Sequence, residues 1–413
     1  MRDSFQMVAR IPCPVTTPKY FAVAGEVATM DLLRSFGLPI PEIYGYSPVQ
    51  DNAAETEYIF MEFVKGICLS DLWFDLTEED ITSISRQLTE LESKMMSITF
   101  PAGGNLYYTK DLEKVARSPG VPLEDERFCV GPDTRLSLWY GRRSQLDVDR
   151  GPYSSPEAAL LKGAEKELAY LKQFGRPLLP FQRQRRESYQ YRNQSPSNHM
   201  QNLDRYLLIA SSLIPKDPAL SQFRIRHPDP RLSNIFVSRS PDSSLHIVSL
   251  IDWQHTSILP MFLLAGTPER FQNYDDPITQ SMTRPFAARR FGRPKRSSAK
   301  QREGTLPSPS NEELGDAYGR GDTPCPIVFD AEDIRQTMKL DEEPRGADEI
   351  LEKCQNFIGV GPQGWVPVER YEEAMRRSKQ LKEDTLAAAE SEKERAEIAA
   401  HWPLDDMNKE EYM

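Results

Sequence analysis

The stretch RIRHPDPRLSNIFVS, Arg224 to Ser238, sets His227, Asp229 and Asn234 at the spacing H-x-D-x-x-x-x-N and runs straight into the apolar residues Ile235, Phe236 and Val237. A polar turn, SRSPDSS, leads to a second apolar segment, HIVSLIDW, which closes on Asp252 and Trp253. Strand, turn and strand return Asp252 to the side of Asn234, and two hard oxygen donors so placed suit Mg²⁺. Taken singly, each residue has an ordinary use: His227 caps a turn, Asp229 and Asn234 make local turn hydrogen bonds, and Asp252 ends a strand. Four in register beside two apolar strands form a constellation far more specific than any one of them.

Phosphoryl transfer needs such a set, because the protein there mainly positions two reactants and neutralises charge. Asp229 is the candidate base that accepts or orients a hydroxyl proton, with His227 beside it in the catalytic group, and Asn234 and Asp252 are the candidate metal ligands. Arg231, two residues after Asp229, either contacts the transferred phosphate or is a surface arginine.

Outward from this stretch, the chain of 413 residues is long enough for two lobes with appendages. Its 62 acidic and 51 basic residues give a net charge of -11, which excludes a generally basic nucleic-acid or membrane surface. A hydrophobic fraction of 39% with 33 prolines predicts that part of the chain lies outside any packed core. The five cysteines are scattered without a CxxC pair, so neither a disulfide framework nor a zinc site is expected, and a reducing compartment is. No apolar run reaches membrane-spanning length, and Met1 to Pro12 carries no secretory or mitochondrial leader pattern, which reads as a cytoplasmic chain.

Upstream, FQMVARIP predicts a strand and AGEVATMDLLRSFG a helix with Val27, Met30, Leu33 and Phe36 on one face and Gly37 as its stop. The strands IYGYSP and EYIFMEFV follow, giving a small mixed sheet with one helix. Thr77 and Asp80 then open a long amphipathic helix as a capping box, and helices are expected to dominate from there. FQRQRRESYQYRNQSPS reads as a mobile loop between two helices. Between Arg284 and Arg302 stand eight basic residues and no acid, inside a Ser/Pro-rich stretch without hydrophobic period, read as disorder. This block fits either a polyanion-binding or nuclear-localisation segment or a piece of misread gene. From Arg370 onward a long, charged, acid-tipped helix is expected. The G-x-G-x-x-G match at Gly359, Gly361 and Gly364 lacks a preceding strand and reads as a turn.

The quoted loop, IDWQHTSILP after it, and VARIP, EVATMDLL, EYIFMEFVKG and LSDLW before it resemble the fungal branch of the aminoglycoside phosphotransferase-like kinases, in the group named for altered inheritance of mitochondria. The resemblance implies an α+β, two-lobed protein kinase-like fold with ATP and Mg²⁺ bound between the lobes, and an acceptor carrying a hydroxyl group. It divides the chain into a truncated small lobe (1–66), a mainly helical large lobe (67–278), the basic segment (279–322) and a helical extension (323–413). It places Arg10 at the strand position of a phosphate-contacting lysine and Glu26 as its helix partner, an expected bidentate pair. Met61, Glu62 and Val64 fall on the hinge strand under the adenine. The group implies a mitochondrial address. Relatives precede VARIP with two strands and a glycine turn over the phosphates, and the short stretch before Phe5 predicts weakened nucleotide binding. The competing reading is a pseudokinase or scaffold whose acidic C-terminal helix engages a protein partner; nucleic acid is not an expected partner.

Overall fold

The computed structural model describes residues 5–405 apart from 14–15, 74, 116–118, 242–243, 267–326, 328–330, 361–365 and 367. The basic block and most of the glycine-rich match therefore lie outside the described residues. The chain divides into two compact units, Met1–Phe174 with Ala210–Gln272, and Gly175–Ile209 with Asn273–Met413.

The first unit opens with a three-stranded antiparallel sheet of order β1-β3-β2, built from β1 (Met7–Arg10), β2 (Ile43–Ser47) and β3 (Tyr58–Glu62). Helix α1 (Lys19–Ser35) begins five residues earlier than its periodicity suggested. It is apolar nearly all round, with Ala22 through Met30 buried, so it runs through the core and not over it. Gly25 makes this possible: a Cβ there would sit 2.2 Å from Asn105 Nδ2 on the neighbouring strand. The helix stops where the sequence says. Gly37 takes a φ of 75°, Leu38 N donates to Leu33 O and Gly37 N to Arg34 O, which is a Schellman closure with Leu33 and Leu38 both in the core. Phe36, expected on the buried face, is instead the exposed cap residue.

Helix α2 (Glu78–Ser97) starts with the expected capping box, Thr77 Oγ1 accepting from Asp80 N and Asp80 from Thr77 N. Helices dominate after it as expected, but short strands are interspersed among them. A second antiparallel sheet, order β5-β7-β6, is formed by β5 (Asn105–Tyr108), β6 (Val121–Pro122) and β7 (Phe128–Gly131), and packs against α1. Two small sheets remain: β4 (Ile67–Cys68), β9 (Ile235–Arg239) and β10 (Leu245–Leu250) in order β10-β9-β4, and the pair β8 (Phe223–Ile225) with β11 (Ile258–Pro260). Ile235, Val237, Leu250 and the wholly buried Trp253 anchor these strands in one core with Leu33, Leu69 and Ile84. Helix α3 (Pro156–Phe174) completes the unit.

The second unit holds α4 (Pro196–Ile209), α5 (Ala331–Ile358), α6 (Tyr371–Ala388) and α7 (Glu392–His401). The stretch read as a mobile loop is structured here: two 3₁₀ turns, Arg183–Arg185 and Glu187–Tyr189, lie against α5, and Arg186 is buried. Arg185 pairs with Asp348 at 2.5 Å, so this arginine run is not an open basic strip. The C-terminal helix expected as continuous is broken at Ala389, whose extended backbone lets Ser391 cap α7 by accepting from Glu394 N.

Candidate active site

Strands β9 and β10 run antiparallel with Ile235 opposite Leu250, and a bulge between Ile247 and Ser249 resets the register just before the site. Beyond the ladder, Ile251 N donates to Asn234 O at 3.0 Å, which fixes Asp252 beside the Asn234 turn. That turn is closed on itself. Arg231 N donates to Asp229 O (2.8 Å), Asn234 N to Arg231 O (2.9 Å) and Asn234 Nδ2 to Asp229 O (2.9 Å). With the amide nitrogen bonded to Asp229 O, Asn234 Oδ1 accepts no bond among the described residues.

His227 joins the two halves. Its Nδ1 accepts from Asp229 N at 3.1 Å, so its proton must sit on Nε2, which donates to Ile251 O at 2.9 Å. The ring stands edge-on to Trp253 with centroids 4.4 Å apart. Burial pushes its pKa down to about 4, against the Ile251 carbonyl, which favours the charged form. With both nitrogens engaged and the ring buried, His227 braces the loop and does not face open solvent.

The two carboxylates are half-exposed, side-chain values being 43% for Asp229 and 42% for Asp252. Asp252 sits at a φ of 65°, in the left-handed region that an Asp adopts at a cost of about 1–2 kcal/mol. Burial pushes the Asp229 carboxyl upward, Arg231 opposes this and Asp252 adds to it. Arg231 Nε lies 3.0 Å from Asp229 Oδ1 in an exposed pair.

Arg10, at the end of β1, reaches two acceptors and one further carboxylate. Its Nη2 donates to Asp252 Oδ1 and to Gln254 Oε1, both at 2.8 Å, while Nη1 lies 3.0 Å from Glu26 Oε1. The Glu26 contact is an ion pair without aligned hydrogen-bond geometry, since that oxygen accepts no bond. The expected bidentate pair is thus replaced by a fork: one arm lies on Glu26, the other on Asp252 and Gln254. Burial lifts Glu26 to about 7, against the pull of Arg10; Asp252 adds to the rise and the Trp253 backbone N–H opposes it. Among the described residues no three His, Cys, Asp or Glu gather to hold a metal. Asn234 Oδ1 and Asp252 could offer two hard oxygens to a cation such as Mg²⁺, which usually takes the rest of its shell from water and phosphate.

The hinge candidates divide. Met61 sends its side chain into the core, and Glu62 donates its N–H to Glu42 O while its carboxylate accepts from Glu42 N, with Arg34 3.7 Å away. Val64, past the end of β3, stays outside the ladder.

Sequence reading missed the polar groups behind Arg10. Gln254 Nε2 pairs with His255 Nε2 (2.8 Å), and His255 Nδ1 with Thr134 O (2.7 Å). Thr134 is held by Asn105 Nδ2 (2.8 Å) and lies between Asp133, fully buried, and Arg135, its ion-pair partner at 2.7 Å. The available signals were the polar pair directly after Trp253 and the charged GPDTR following the apolar FCV.

The sequence profile described as "Phosphotransferase enzyme family" matches residues 6–262. A subtelomeric hrmA-associated cluster protein of Aspergillus fumigatus is 35% identical over 320 residues, 69% of this chain and 59% of its own length. Altered inheritance of mitochondria protein 9, mitochondrial, of Clavispora lusitaniae is 27% identical over 291 residues, 64% of this chain and 46% of its own. The chain thus spans about three-fifths or less of these relatives. Among solved structures, an apo thermostable mutant of the aminoglycoside phosphotransferase APH(4)-Ia aligns at 16% identity and a TM-score of 0.31, covering 61% of this chain and 60% of that one.

Proposed function

Because the chain belongs to the phosphotransferase enzyme family, we propose that it moves a phosphoryl group from ATP to the hydroxyl of an acceptor. The observation that carries the reading is the single bonded frame, through His227 and Ile251, on which Asp229, Asn234 and Asp252 stand beside Arg10.

In this reading Asp229 takes the proton of the incoming hydroxyl, and the upward push of burial makes it a stronger base than an exposed aspartate. Asn234 Oδ1 and Asp252 hold Mg²⁺. Magnesium-bound ATP, when present, supplies the phosphoryl group and the cation that offsets its charge. Arg10 brings a permanent positive charge to the phosphate side of the site. Arg231 holds Asp229 only by an exposed pair worth about 0–1 kcal/mol, so it is free to swing toward the transferred group. Val64 offers the hinge position, residues 1–66 form the small lobe, 67–278 the large lobe, and 323–413 an extension. A mitochondrial address comes to this chain from relatives so named. Among the described residues no helix is long and apolar enough to cross a membrane.

A second reading, a scaffold that does not turn over nucleotide, is favoured by the occupation of Asp252 Oδ1 by Arg10. Phosphate released or transferred from ATP, with and without a panel of hydroxyl compounds, separates the two. Turnover that falls about 10²–10⁴-fold in Asp229→Asn, with ATP binding retained, supports the transferase. Equal turnover in the variant overturns Asp229 as base, and binding without turnover in the native chain favours the scaffold.

A further inference from the structure

Arg10 offers only donors, so the Gln254 amide must turn its oxygen toward it, as the 2.8 Å contact shows. The amide nitrogen then faces His255 Nε2, 2.8 Å away, which must be the unprotonated ring nitrogen. The proton therefore sits on Nδ1, and its acceptor is Thr134 O at 2.7 Å. Each link fixes the polarity of the next, and a reversal at any point brings two donors face to face. Burial of His255, which lowers its pKa, keeps the ring in the neutral form this chain requires.

The far end does not move easily. Thr134 Oγ1 accepts from Asn105 Nδ2, and the adjoining Asp133 takes Ser257 Oγ (2.6 Å) and Arg135 N (2.9 Å) on one oxygen and the Arg135 side chain on the other. All of these groups lie in the first unit.

We infer that Gln254 is a positioning residue: oriented by His255 and the Thr134 carbonyl, it holds the Arg10 guanidinium at Asp252, so that the inserted sheet β5-β7-β6 sets the geometry of the nucleotide-facing cation. The inference rests on the proposed function only for its consequence in nucleotide binding; the positioning itself is a property of the free protein.

A double-mutant cycle between Gln254→Ala and Arg10→Ala tests it, read first by thermal unfolding without nucleotide. Gln254→Ala should lower Tm by about 2–4 °C beside Arg10 and leave it nearly unchanged in the Arg10→Ala background. Equal shifts in both backgrounds overturn the inference. Arg10→Ala leaves Glu26 buried without its cation, so the same cycle run with Glu26→Gln in every member guards against a chain that fails to fold. With Mg²⁺-ATP as probe, Gln254→Ala should weaken Kd about tenfold beside Arg10 and less than about twofold without it. His255→Leu should reproduce Gln254→Ala, because without a ring nitrogen nothing selects which end of the amide meets Arg10; an unchanged Kd in His255→Leu overturns the orienting step. Coupling in the free protein with no nucleotide shift in the native chain upholds the positioning and contradicts the proposed function alone.

Discussion

In the loop Asp133–Arg135 both carboxylate oxygens of the aspartate are occupied, by Ser257, Tyr153 and Arg135, and the side chain is fully buried. In the loop Asp229–Asn234 the aspartate is 43% exposed and its ion-pair partner, Arg231, is itself 69% exposed. The two loops flank the same arginine, one through His255 and Gln254 and the other through Asp252. A buried polar group with every partner in place is rigid, and one with few partners is available for chemistry. Under the proposed function the first loop holds and the second reacts.

The largest effect is expected from Asp133→Ala. Removing one partner of a buried ion pair strands Arg135 and should cost about 3–5 kcal/mol of unfolding free energy, read by urea titration. A loss under about 1 kcal/mol would show that the loop is not a fixed frame.

Two buried groups of the site titrate in opposite senses. His227, at about 4 when folded against an ordinary 6.5, contributes stability that is present above pH 6.5 and lost as pH falls toward 4. Glu26, at about 7 against 4.5, contributes stability that is present below pH 4.5 and lost as pH rises toward 7. Between pH 4.5 and 6.5 the two slopes oppose each other. Glu26→Gln should therefore make stability rise with pH across that window relative to the native chain, by about 1.4 kcal/mol per unit. Parallel pH curves for the two proteins would show that Glu26 is ionised throughout.

At the small end, Arg231→Ala and Asp229→Asn should each change unfolding free energy by less than about 1 kcal/mol, because their pair is exposed. A larger loss in urea unfolding would mean that the reactive loop is also a structural one, and the contrast with Asp133 would blur.

The site was legible where its information is local. His227, Asp229 and Asn234 are close in sequence, and the strand pair β9–β10 that returns Asp252 is a short hairpin with apolar faces. The Thr77 cap and the Gly37 stop were legible for the same reason. Strands of two to four residues, as in β5, β6 and β7, are too short to show alternation, so the inserted sheet stayed hidden. Gln254 and His255 gain their meaning from Thr134, 121 residues before His255, a distance no periodicity spans. Polar composition misled at Arg183 to Arg192, where Asp348 and burial of Arg186 decide the structure. The break before α7 was announced by Ser391 and Glu394 at capping-box spacing, inside a run whose alanines and charges favoured an unbroken helix.

The central claim is that Asp252 and Asn234 hold the magnesium of a bound nucleotide. Thermal unfolding with ATP, with and without Mg²⁺, in the native chain and in Asp252→Ala tests it most directly. Ligand at about a hundred times its Kd should stabilise the native protein by about 2.7 kcal/mol, a shift that is readily seen. The expected result is a Mg²⁺-dependent rise in Tm that Asp252→Ala abolishes; no rise at any ATP concentration, or the same rise in the variant, would rule the magnesium site out.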